Sequence, residues 1–221
     1  MSGSQPSYEE LERRCREYEA MIEAIRSGQA DAVVGDEGAL AMRLAAAERR
    51  TEYLNRVLLA IRNVNQLIVR ERDLGTLIQQ ACENLIESLG YYNAWIGLMD
   101  EGGAVTMTAS SGFADEFALM EERLRDGAFP NCFERAVAEE ALIVIDDPPG
   151  ECRDCALAGQ YADCAEFASR LAYQGRLYGI LAVSVPTTFA RDAEARELFR
   201  ELADDISYAL WAIENEALHE S

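Results

Sequence analysis

The chain has 221 residues and a formal net charge of −20. That length suffices for one domain of about 150 residues plus an extension, and so strong a negative charge excludes nucleic acid and an anionic membrane surface as partners, since both are polyanions. Its one histidine, His219, nearly excludes a buried imidazole base, a His-rich metal site or a Ser/His/Asp set.

The N-terminus, Met1-Ser-Gly-Ser-Gln-Pro-Ser-Tyr8, lacks the basic and apolar regions of a signal peptide. No apolar run approaches the roughly 20 residues that span a bilayer. The expected location is therefore the cytoplasm, without membrane contact, where thiols are kept reduced. From Tyr8 to Ile25 the apolar positions Tyr8, Leu11, Cys15, Tyr18, Ile22 and Ile25 alternate by three and four, the seam of a coiled coil. Ser27-Gly28 ends that helix. A second seam runs through Leu40, Leu44, Ala47, Thr51, Leu54, Leu58, Ile61, Asn65 and Ile68. Its length and the charge around it favour a dimeric signalling helix over one packed on its own domain.

Asp73 is the expected N-cap of a helix over Leu74–Leu89, stopped by Gly90. The runs Ala94–Met99 and Val105–Ala109 flank Gly102-Gly103 and predict a β-hairpin. Phe113 to Arg125 reads as a helix, and Asn131 as the N-cap of another over Cys132–Glu140. A strand, Leu142–Ile145, enters a loop that opens Asp146-Asp147-Pro148-Pro149-Gly150, where the prolines oppose any long element. The clearest hairpin joins Ser169–Tyr173 to Leu177–Val185 through Gln174-Gly175. Asp192 then caps a last helix to about Ala217, with a third seam at Leu198, Leu202, Ile206, Ala209, Ile213 and Ala217.

Four of the six cysteines fall between Asn131 and Cys164: Cys132, the C-x-x-C pair Cys152 and Cys155, and Cys164. A thiol in the first turn of a helix meets unpaired N–H groups, which favour the thiolate, so Cys132 is expected to be reactive or metal-binding. A C-x-x-C can be half of a zinc site, one end of a dithiol switch or part of an iron–sulfur site. With Cys132 and Cys164 it would supply the four thiolates of a closed tetrahedral zinc site, although no spacing rule supports closure. Metal binding, reversible thiol–disulfide sensing and a structural role with no ligand all stay open. Cys15 and Cys82 read as packing residues on helix faces.

The order of elements resembles a GAF domain. The resemblance is carried by Ala94-Trp-Ile-Gly-Leu-Met-Asp100, Ile143-Val-Ile-Asp146, Gly175-Arg-Leu-Tyr-Gly-Ile-Leu-Ala-Val-Ser-Val185 and Phe199-Arg-Glu-Leu-Ala-Asp-Asp-Ile-Ser-Tyr-Ala-Leu210, and covers residues 54–217. Residues 1–53 then form signalling helices, and Ile22 to Val34 is similar to a segment found before PAS or GAF domains in bacterial sensor kinases. The loop from Cys152 to Tyr161 resembles that of a cysteine-bearing subgroup of sensory GAF domains. The resemblance implies an α+β fold: a six-stranded antiparallel sheet, helices on one face and a ligand cavity on the other. Trp95, Phe133, Phe167, Tyr173 and Tyr178 are the aromatic candidates to line that cavity. It also implies a homodimer through the N- and C-terminal helices.

No kinase, cyclase or DNA-binding module is present in these 221 residues, so the output is expected in a separate signalling protein such as a histidine kinase, or beyond this piece. Some GAF domains hold haem, which a cysteine can ligate. The fold also serves the free methionine sulfoxide reductases, whose cysteines occupy places comparable to Cys132 and Cys164. Such chemistry needs a nucleophilic thiolate and a resolving thiol, and the residues around Cys164 match that family poorly. The reading favoured is a non-enzymatic sensor of a small ligand, metal or redox state. A dimerisation scaffold that binds nothing is the alternative, and the reductase a lesser one.

Overall fold

The computed structural model describes residues 71–152, 155–158 and 164–219, with isolated helical positions between residues 8 and 66. Two compact units divide the chain, Met1–Asn55 and Arg56–Ser221, and the described elements belong to the second. The seams expected over Tyr8–Ile25 and Leu40–Ile68 lie almost wholly outside the described residues.

Helix α1, Leu74–Leu89, begins where the Asp73 carboxylate accepts the Thr76 N–H at 2.8 Å. It ends at Gly90, whose φ of 68° lets its N–H reach the Ile86 carbonyl at 3.0 Å. Its buried face, Leu77, Ile78, Ala81, Cys82 and Leu85, packs on the hairpin of β1, Asn93–Met99, and β2, Val105–Ser111. Strand β3 is Ile143–Ile145, β4 Cys164–Tyr173 and β5 Arg176–Pro186. The sheet is antiparallel throughout, in the order β2-β1-β5-β4-β3. Gln174 and Gly175, with φ of 48° and 82°, form the two-residue turn between β4 and β5, the left-handed pair that matches strand twist. At Gly179, φ is 152° and an added Cβ would stand 2.0 Å from the Gly97 carbonyl oxygen; only glycine lets β1 and β5 approach so closely.

The remaining helices are α2, Phe117–Arg125; α3, Asn131–Ala138; α4, Pro148–Glu151; α5, Thr187–Ala190; and α6, Ala193–His219. Alternation along β4 assigns them to layers. Phe167 and Leu171 point to the side of α1 and α6, where the Phe167 and Phe199 rings lie 5.5 Å apart. Cys164 and Ala168 point the other way, into a buried cluster with Trp95, Ile180 and Ala182 of the sheet, Met120 and Leu124 of α2, and Cys132 and Phe133 of α3.

Three expectations are corrected here. Helices cover both faces of the sheet, because Trp95, Ala168, Ile180 and Ala182 make its second face apolar and α2 and α3 remove that face from water. The described residues form five strands in place of six; between β3 and β4 the chain enters α4, whose Pro148 and Pro149 have no N–H to offer a ladder. The seam on α6 is filled from within its own chain: Leu202, Ile206, Ala209 and Ile213 are buried, and the helix packs chiefly on β4. Those positions are not open to a second copy.

Candidate functional site

Behind α2 and α3 the chain builds a layer rich in sulfur. Cys132 lies in the first turn of α3, whose N-cap is Pro130 rather than Asn131. Asn131 is already helical, so no side chain caps this end. Asp147 caps α4 by accepting from the Gly150 N–H at 3.3 Å, and the helix delivers Cys152 directly to the same layer. A turn closed by Cys155 N–H to the Cys152 carbonyl, 2.9 Å, carries Cys155 alongside. The Leu157 N–H donates to the Cys155 sulfur at 3.4 Å. Cys164 enters from the start of β4. Cys132, Cys152 and Cys164 are buried in one cluster, and Cys155 packs against it half-buried.

Sequence reasoning missed the residue that shapes this site. Glu166, two positions after Cys164, points to the same face of β4 and is 2% exposed. Its signal was the alternation itself: in Cys164-Ala-Glu166-Phe-Ala168 the even residues face one way, so a carboxylate after an inward-facing cysteine must turn inward too. Glu166 is hydrogen-bonded to Cys132, while its Oε1 has no partner. Burial pushes its pKa up to about 7, opposed only by the Cys132 contact. Its charge is felt by Cys132, Cys152 and Cys155, which also act on one another. A second buried polar atom, Trp95 Nε1, likewise has no partner.

The thiols are not the activated nucleophiles expected of a helix start. Burial first, then the Glu166 carboxylate, raises Cys132 well above the ordinary thiol value. The same two causes raise Cys152 to about 12. For Cys155 burial dominates, but the Leu157 N–H and the Arg123 guanidinium pull against it. Desolvation thus outweighs the helix terminus at Cys132.

A cleft of about 400 Å³ opens over this layer, walled by Met120, Arg123, Phe129, Asn131, Cys152 and Cys155 among others. None of the five aromatic candidates lines it. Trp95 and Phe133 lie deeper, stacked with ring centres 6.3 Å apart. Phe167 and Tyr173 face α6, and the Tyr178 hydroxyl donates to Glu214 of that helix at 3.2 Å. Among the described residues no group of three or more His, Cys, Asp or Glu is set to hold one metal ion. The donors therefore do not fit zinc or an iron–sulfur cluster as they stand. None of the six cysteines is joined in a disulfide. Cys82 lies apart, its sulfur 3.8 Å from the Ala109 carbonyl oxygen between α1 and β2.

A five-stranded antiparallel sheet with helices on both faces and a cleft at one of them is the frame in which the comparisons are read. The GAF domain family profile matches residues 71–210, and the chain belongs to that family, whose members are in general signalling and ligand-binding domains. A domain of unknown function matches residues 7–39. No curated protein matches. Among solved structures, the GAF domain of a phosphoenolpyruvate-protein phosphotransferase from Coxiella burnetii superposes with a TM-score of 0.57 at 15% identity, covering 75% of this chain and 98% of that one. The corresponding Acinetobacter domain gives 0.53 at 14%, covering 72% and 94%. A free methionine-R-sulfoxide reductase from Neisseria meningitidis, in complex with its substrate, gives 0.50 at 16%, covering 72% and 93%. At these identities the likeness is one of fold. No helix among the described residues is long and apolar enough to cross a membrane.

Proposed function

We propose that this chain is a sensory GAF domain that reads a small ligand or redox state at the cleft walled by Cys152 and Cys155. The terminal helices pass the result to a separate signalling protein such as a histidine kinase. The observation that carries the reading is the gathering of Cys132, Cys152, Cys155 and Glu166 in one layer beneath that cleft. The carboxyl of Glu166, buried among these thiols with one oxygen unpartnered, is costly to keep there. A packing role alone would be met by apolar residues. Signalling requires that the bound or oxidised state favour one of two helix arrangements; a preference of ~1–3 kcal/mol gives a 5–150-fold effect.

The reductase reading needs a low-pKa attacking thiol, and the burial of Cys132 opposes it. A scaffold that binds nothing is the remaining alternative. Titration of thiols before and after mild oxidant, in the parent and in Cys155→Ser, separates the two. The sensor is expected to lose two titratable thiols on oxidation, and Cys155→Ser to abolish that loss while keeping fold and oligomeric state. A full set of free thiols after oxidant, with no change in helix packing, would support the scaffold.

A further inference from the structure

The two cysteines in the wall of the cleft stand three residues apart across one tight turn. The Cys155 N–H donates to the Cys152 carbonyl at 2.9 Å. A turn closed in this way holds its first and fourth α-carbons within about 7 Å, and a disulfide spans roughly 4.4–6.8 Å. Little backbone movement is therefore needed to bridge the pair. Both side chains pack in one layer and act on each other electrostatically. Cys132, a third thiol of that layer, is engaged elsewhere: it lies on α3 and is hydrogen-bonded to Glu166.

The two sulfurs are not equivalent. Cys152 is 3% exposed, whereas Cys155 is half-buried, so a reagent in the cleft meets Cys155 first. The Cys155 sulfur also accepts the Leu157 N–H at 3.4 Å and feels the Arg123 guanidinium, two contacts that favour its thiolate. Cys152 ends α4 rather than opening a helix, so it lacks the free N–H groups that acidify the C-x-x-C of an oxidising catalyst. A dithiol whose thiolate form is not stabilised makes a bridge that resists reduction.

The cleft bears on the reagent. Its volume of about 400 Å³ falls in the range of small-molecule sites, far more than hydrogen peroxide fills. Its charged walls are Arg123, Glu134 and Glu151, a mixture of signs that suits a molecule carrying both carboxylates and ammonium groups. We propose that Cys155 and Cys152 are oxidised to a reversible disulfide by a small disulfide of the amino-acid or short-peptide class, taken up in the cleft. The Cys155 thiolate, its proton lost to solvent, attacks one sulfur of the reagent; the reagent's S–S bond breaks and one thiolate leaves. Cys152, losing its proton in turn, attacks the Cys155 sulfur of that mixed disulfide and expels the second thiolate. Two protein thiols are oxidised, and one small disulfide is reduced to two thiols that take up the two protons. This proposal rests on the sensory reading and names its oxidant, its pair and its order of attack.

The test incubates the full chain with oxidised glutathione, and separately with hydrogen peroxide, and maps its thiols by mass spectrometry. Oxidised glutathione is expected to remove two thiols, and dithiothreitol to restore them. Digestion behind Arg153 leaves Cys152 and Cys155 on separate peptides, which should stay joined until reduced. Cys152→Ser is expected to stop at a single glutathione adduct on Cys155, because the resolving thiol is gone. A bridge to Cys132 or Cys164, an unmodified Cys155 in Cys152→Ser, or a bridge formed by peroxide but not by oxidised glutathione overturns the proposal and leaves a redox sensor standing. Thiols that stay free under both oxidants overturn the proposal and the redox reading together.

Discussion

Glu166 is the most consequential single residue of the domain, because it is ionisable, 2% exposed and half-satisfied. Its pKa stands at about 7 against an ordinary 4.5. The folded state therefore holds a proton that the unfolded state has already released between those two values, and stability falls as pH rises through that window. The loss amounts to about 3 kcal/mol. The neighbouring Cys132, Cys152 and Cys155 are all raised and stay neutral over this range, so they add nothing to the slope. Urea unfolding at pH 5 and pH 8 is expected to show this loss in the parent and to show it absent in Glu166→Gln. Parallel pH curves for the two proteins would mean that the carboxyl has water or a cation beside it.

Among elements, the β4–β5 hairpin does the most to organise the fold. At its turn end Arg176 pairs with Glu214 of α6 at 2.6 Å, and its guanidinium lies 5.0 Å from the centre of the Tyr178 ring. The pair is partly exposed and adds little on its own; its effect is to align the hairpin with the terminal helix. Gly179 has no such latitude. Gly179→Ala would drive a methyl group into the Gly97 carbonyl of β1 in a backbone region that disfavours side chains, and a loss of roughly 2–4 kcal/mol is expected in chemical denaturation. A loss under about 0.5 kcal/mol, the size of a neutral surface change, would show that β1 can move away freely.

These elements were legible in the sequence because each carries a local signal: a cap at Asp73, a stop at Gly90, turns at Gly102-Gly103 and Gln174-Gly175. The site was half legible. Sulfur draws attention by type, so Cys132, Cys152, Cys155 and Cys164 were singled out and indeed share one cluster. Glu166 looked like one more acidic residue in an acidic chain. A helix start argues locally for a thiolate at Cys132, whereas its burial draws also on side chains distant in sequence, such as Cys164, Ala168 and Ile180.

At the scale of the whole molecule, the terminal helix spends its apolar seam on its own sheet, with Leu202, Ile206 and Ala209 buried. We propose that self-association, which the resemblance to sensory GAF domains implies, is carried by residues 1–53. Light scattering is expected to give a dimer for the full chain and a monomer once residues 1–53 are removed. A truncated chain that still dimerises would return the interface to the outer side of α6, where Tyr208 is 44% exposed beside Trp211.

In β4, consecutive residues serve opposite halves of the domain: Glu166 meets the thiols, and Phe167 meets Phe199 on the terminal helix. The thiol layer and the terminal helix are thus separated by one peptide unit of β4. In the proposed sensor a tilt of that unit, too small to break a ladder hydrogen bond, would press on both sides at once, with no long relay of side chains needed.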